Sequence, residues 1–97
     1  MAVRVTTVEV LPEYRLRLTF DDGAVTEADF ADDLWGPLAE PLRDPDYFAR
    51  VVVDPQSRTI MWPNGYDPSP EVLHGDAPAA APSRLRVIKV ASVQQGS

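Results

Sequence analysis

Tyr14, Leu16, Leu18 and Phe20 alternate with Arg15, Arg17 and Thr19, the pattern of a strand with one face buried and one wet. Asp21-Asp22-Gly23 follows as a hairpin turn in which Gly23 can take positive φ, and residues 24–30 return as the partner strand. Upstream, Val3 and Val5 share one parity and Val8 and Val10 the other. The slip at Thr6-Thr7 therefore predicts a β-bulge or a crossing between layers. Downstream, Val51-Val52-Val53 and Thr59-Ile60-Met61-Trp62 flank residues 54–58 as a second hairpin.

Helical signals are short. Residues 31–35 read as a turn with Asp29 near its start, and residues 37–43 as two turns, because Pro41 removes an amide between Leu38 and Leu42. Asp44-Pro45 reads as an N-cap and first helical position that leads Tyr47 and Phe48 into the core. Ser69-Pro70-Glu71 repeats the device before Val72 and Leu73, and Gly75 ends that turn. The expected fold is α+β: a small antiparallel sheet of about five strands, short helical turns on one face, and a C-terminal strand-like tail.

Organisation follows from the prolines. Residues 1–76 form a compact α+β domain, residues 77–83 (Ala-Pro-Ala-Ala-Ala-Pro-Ser) a Pro/Ala linker, and residues 84–97 a tail. In the tail, Leu85, Val87, Ile88, Val90 and Val93 are too apolar and β-branched for a solvated linker. The tail is expected to form a strand that closes the domain's own sheet or swaps into a homodimer.

Charge changes the picture when it is divided along the chain. Residues 1–76 carry six Arg against fifteen Asp and Glu, a net of −9, whereas residues 77–97 carry Arg84, Arg86 and Lys89 and no acid, a net of +3. An acidic body repels phosphate backbones, so no nucleic-acid binding is expected, and a basic protein partner suits it. The chain has 97 residues and no cysteine, so disulfides and thiolate metal sites cannot reinforce a core this thin. No apolar run approaches the ~18 residues of a membrane span, and the amino terminus alternates instead of forming a signal-peptide core. A cytoplasmic location with no membrane association is the expectation.

Residues 62–74 concentrate the candidate chemistry: an aromatic strand end, an Asn-Gly pair, Pro63, Pro68 and Pro70, and a helix start. Trp62, Asn64, Tyr66 and Asp67 are the candidate binding residues, since an aromatic face beside an amide and a carboxylate is a usable recognition set. The competing reading makes Trp62 core or half-core, Asn64-Gly65 a turn, and Asp67 a cap for the amides before Pro68. Asp21, Asp22, Glu27, Asp29, Asp32 and Asp33 are dense but lack the spacing of a calcium loop, so a solvated acidic face is expected and no metal. His74 is the single histidine and reads as a C-terminal helix residue. No nucleophile elbow and no phosphate-cradling glycine loop is present, so neither a catalytic residue nor a cofactor is expected.

The DDG hairpin, L-R-D-P-x-x-F, the V-V-V-D strand, I-x-W-P-N-G-x-D and P-E-x-L-H together resemble a bacterial family of about eighty residues, a domain of unknown function. The resemblance spans residues 3–74, and its most specific part is Trp62 to Gly65 with Asp67, Pro70, Glu71 and Leu73. It implies an antitoxin-like partner of small basic toxin-like proteins. Some members carry an added helix-turn-helix domain; the fourteen residues after this chain's linker are too few for one, so DNA-binding autoregulation is not expected. The alternative is a small ligand-binding or accessory domain that uses the corner at residues 62–67 as a pocket wall.

Overall fold

In the computed structural model, which describes residues 3–34, 36–75 and 85–92, the chain runs β1 (Val5–Leu11), β2 (Arg15–Phe20), β3 (Ala24–Asp29), a 3₁₀ helix (Glu40–Arg43), α1 (Pro45–Phe48), β4 (Val52–Asp54), β5 (Thr59–Met61), α2 (Pro70–His74) and β6 (Arg86–Ser92). The Pro/Ala linker at residues 77–83 lies outside the described residues. A four-stranded antiparallel sheet has the order β1-β2-β3-β6, and β4-β5 form a separate two-stranded sheet. The fold is α+β, as its sequence implies, but its strands are divided between two sheets instead of one. The three-residue strands β4 and β5 pack beside β1, and Val5 N–H donates to Arg58 O at 3.0 Å and joins the two sheets.

Period-two patterning fixes the register of the central hairpin. Gly23 takes φ 86°, Ala24 N–H donates to Asp22 Oδ1 at 3.0 Å, and Arg17 stands opposite Glu27. The parity slip in β1 is a true register shift between Val5 and Thr7. On the inner face Val5, Leu16, Leu18, Phe20, Ala24, Thr26 and Ala28 are all buried. The second layer supplies Phe30, Leu34, Ala39, Leu42, Phe48, Val51, Ile60, Trp62 and Leu73 to the same core. The tail strand β6 pairs antiparallel with β3 of its own chain.

Local chemistry explains the short helices. Asp44 Oδ1 accepts from Asp46 N–H at 3.0 Å ahead of Pro45, as a capping aspartate should. Pro41 sits at the start of the 3₁₀ helix, where its missing amide costs no bond, and Leu42 is buried while Leu38 is exposed. Asp29 Oδ1 accepts from Ala31 N–H at 2.9 Å and sets the turn after β3.

Tyr14 departs from its strand pattern. It and Glu13 occupy the left-handed region, at φ 62° and 63°, in the turn between β1 and β2. Tertiary contacts hold Tyr14 there: its hydroxyl donates to Arg43 O, and its ring meets Phe48 edge-on at 5.4 Å. Glu13 is exposed and, among the described residues, makes no hydrogen bond or ion pair of this kind. Because an L-residue in this region costs about 1–2 kcal/mol, Glu13→Gly is expected to raise stability by roughly 0.5–1 kcal/mol after glycine's entropy is counted. Urea titration of the variant measures it; a lower midpoint means that Glu13 makes a compensating contact.

Candidate functional site

The corner at residues 62–74 is built from side chains that reach backbone carbonyls of distant segments. Trp62 follows β5 and is 1 % exposed, with its Nε1–H donated to Phe48 O at 2.9 Å. Its ring packs on Phe30, Phe48 and Tyr66 at centroid distances of 5.6, 5.5 and 5.6 Å. The chain then reverses over Pro63-Asn64: Gly65 N–H donates to Trp62 O at 2.8 Å, and Gly65 takes φ 89°. Only a residue tolerant of positive φ fits there.

Asn64 has two tasks. Its Oδ1 accepts from Tyr66 N–H at 3.2 Å, and its Nδ2 donates to Leu38 O at 2.8 Å. Thr59 Oγ1 donates to Pro68 O at 2.6 Å and ties the far side of the corner back to β5. Tyr66 is half-buried against Trp62; burial, helped by the charge of Asp33, pushes its hydroxyl above the usual tyrosine range. Asp67 is exposed, and among the described residues no hydrogen bond joins it to the amides before Pro68. Of the four candidate binding residues, Trp62 thus presents no face to solvent, whereas Asn64 and Tyr66 are partly and Asp67 largely accessible.

Helix α2 starts at the N-cap position of Ser69, but Ser69 Oγ bonds Glu71 Oε1 at 2.9 Å instead of capping an amide. Gly75 at φ 93° ends the helix. Two further bonds fix α2 to the sheet: buried Thr26 Oγ1 donates to Leu73 O at 2.7 Å, and His74 Nε2 lies 2.8 Å from Asp22 Oδ2. The His74 ring is buried edge-on against Phe20, with centroids 4.8 Å apart. The sequence carries no local signal for this pair, whose members are 52 positions apart.

The Ala24 amide, more than the His74 contact, holds the Asp22 carboxyl below its ordinary 3.8 against an opposing effect of burial. A carboxylate depressed on folding contributes stability above its unfolded pKa and loses it as pH falls through the folded value. The stability gap between the wild type and Asp22→Asn is therefore expected to close as pH drops below about 4, and melting curves from pH 2 to 7 measure it. A gap that stays constant across that range would refute the assignment.

The remaining acids are spread over separate partners. Glu27, with 17 % of its side chain exposed, receives Arg17 at 3.2 Å and Arg15 at 3.6 Å on the outer sheet face, and Arg17 also reaches Glu9 at 3.2 Å. Asp21 pairs with Arg4 at 3.7 Å, and Asp32 with Arg86 at 3.6 Å. Among the described residues no three His, Cys, Asp or Glu side chains converge as metal ligands would. The Arg17–Glu27 pair was not foreseen, although a turn centred on Asp22 sets those two residues opposite each other.

Surface depressions among the described residues include two with mixed linings. One, of about 210 Å³, lies between Arg15, Glu27, Asp29, Arg86 and Ile88. The other, of about 150 Å³, lies by Val10, Pro12, Tyr14 and Pro45. Both are smaller than the roughly 300 Å³ at which small-molecule sites begin. Neither is lined by the corner residues. Among the described residues, no helix is long and apolar enough to cross a membrane.

Neither the curated proteins nor the solved structures include a match to this chain. Residues 5–79, from β1 through α2, match the family described as protein of unknown function (DUF2442), and with most of its length matched the chain belongs to that family.

Proposed function

We propose that the chain is a non-catalytic protein–protein interaction module, the acidic, antitoxin-like partner of a small basic toxin-like protein. The observation that carries this reading is the segregation of charge: all fifteen Asp and Glu lie within residues 1–76 against six Arg, and the three cations that follow have no acid among them. Glu40, Asp46, Asp67 and Glu71 are exposed and unpaired with any cation among the described residues. Such a surface steers a cationic partner into encounter over about a Debye length, roughly 8 Å at physiological ionic strength.

The test mixes the purified full chain with the short basic protein encoded beside its gene. A stoichiometric complex at low ionic strength that weakens steeply as salt rises supports the reading. A gene neighbourhood with no such protein, or a pair that stays separate at low salt, overturns it.

A further inference from the structure

Among the described residues, β6 meets β3 through a backbone ladder and touches α2, with few buried side chains of its own. No residue of β6 is among the buried core residues described; Leu85 and Val87 pack against that core only half-buried. Arg86, Ile88, Lys89 and Val90 are exposed, Ile88 at 61 % and Val90 at 48 %. The ladder is interrupted by a register shift between Val25 and Thr26. The Arg86–Asp32 pair is 74 % and 64 % exposed, and pairs of that kind contribute little. By contrast, Leu16, Leu18 and Phe20 of β2 are each at most 2 % exposed. A strand so sparsely packed opens at the low end of the local stability range.

The edge beneath β6 has a definite chemistry. Along β3, Asp29 stands opposite Arg86, Ala28 opposite Val87 and Glu27 opposite Ile88, and Asp32 in the next turn reaches Arg86. The strand that sits there brings Arg86 and Lys89 and no acid. We propose that the β3 edge is the docking site for an extended basic strand of the partner protein, and that β6 occupies it in cis as an intramolecular competitor. The proposal rests on the reading of this chain as the acceptor of a basic partner, and it specifies where that partner binds. The mode is strand addition, in which the ladder supplies affinity and alternate side chains supply selectivity.

A partner strand is favoured over a second copy on energetic grounds. Another copy's β6 restores the contacts already made and gains nothing, while the nine residues between Gly75 and Leu85 keep the cis strand at an effective concentration on the order of millimolar. A partner protein can add contacts to the acidic body beyond the strand itself, and so displace β6.

The experiment uses the full-length chain and a fluorescent peptide with the sequence of residues 84–93 as the probe. Val87→Pro/Ile88→Pro removes two consecutive amides, one of which faces β3 whatever the ladder phase. Arg86→Glu/Lys89→Glu keeps the backbone and sets acid against Asp29 and Asp32. Both variants are expected to bind the peptide about tenfold or more tighter than the wild type, by fluorescence anisotropy, and to ignore a peptide whose three cations are glutamates.

Equal binding by wild type and variants, or no binding at all, overturns the proposal. Unfolding of both variants also overturns it, because β6 would then be an integral part of the fold. A wild-type dimer in sedimentation that the proline variant dissolves assigns the edge to a second copy instead. A structureless Lys-Ser peptide separates this proposal from the reading it rests on. If it binds all three chains equally at low salt while the strand peptide shows no preference, the acidic module stands and the edge site falls.

Discussion

Trp62→Ala is expected to lower stability by about 3–5 kcal/mol, a large share of the roughly 5–15 kcal/mol that a domain of this size possesses. The indole is 1 % exposed and touches Phe30, Phe48 and Tyr66, so truncation opens a cavity where three aromatic rings meet. It also strips Phe48 O of the donor that Trp62 Nε1–H supplies at 2.9 Å, leaving a buried acceptor unpaired. Trp62→Phe keeps most of the packing and loses that bond, and should fall between the two. The expected fall in melting midpoint for the alanine variant is more than about 12 °C. A midpoint that barely moves would mean that the ring contributes recognition and not packing.

The same residue shows how far the sequence could be read. Its type and its position at a strand end made it both a core candidate and a ligand candidate, and only the aromatic neighbours brought from α1 and the end of β3 distinguish those roles. From Arg15 onward the central hairpin was legible, because strand alternation and the Asp-Asp-Gly turn are both local and agree with each other. The β1 bulge was legible for the same reason: a parity slip has few structural outcomes. The tail read as a strand from its β-branched residues, but composition alone could not choose its neighbour, and β3 is the mate it finds.

What was not legible depends mostly on long-range partners. Alternation carried Tyr14 into β2, yet its hydroxyl bond to Arg43 O and its contact with Phe48 place it in a left-handed turn. Asn64 looked like a turn residue and is one, but its second bond, to Leu38 O, bridges 26 positions. Ser69 occupies the expected N-cap position, and the nearby Glu71 carboxylate takes its hydroxyl in place of an amide. Tyr14 and Asn64 are side chains whose partners are fixed by the assembled fold, whereas the Ser69 miss is a local competition between a carboxylate two residues on and the helix amides.

Thr26→Val is expected to cost about 1–3 kcal/mol although the two side chains have nearly the same shape. Thr26 is fully buried on the inner face of β3, and its Oγ1–H donates to Leu73 O at 2.7 Å. That carbonyl lies in the last turn of α2, where helices leave acceptors without an intrahelical donor, and Gly75 N–H is spent on Glu71 O and Val72 O. Valine therefore leaves a buried acceptor unpaired, and serine keeps the bond while losing only a methyl group, at a cost of about 1 kcal/mol. The two variants separate in hydrogen exchange. Faster exchange of the Leu73 and Gly75 amides is expected in the valine variant, because α2 loses its tie to the sheet, and not in the serine variant. A valine variant as stable as the wild type would mean that Leu73 packing alone holds α2 against β3.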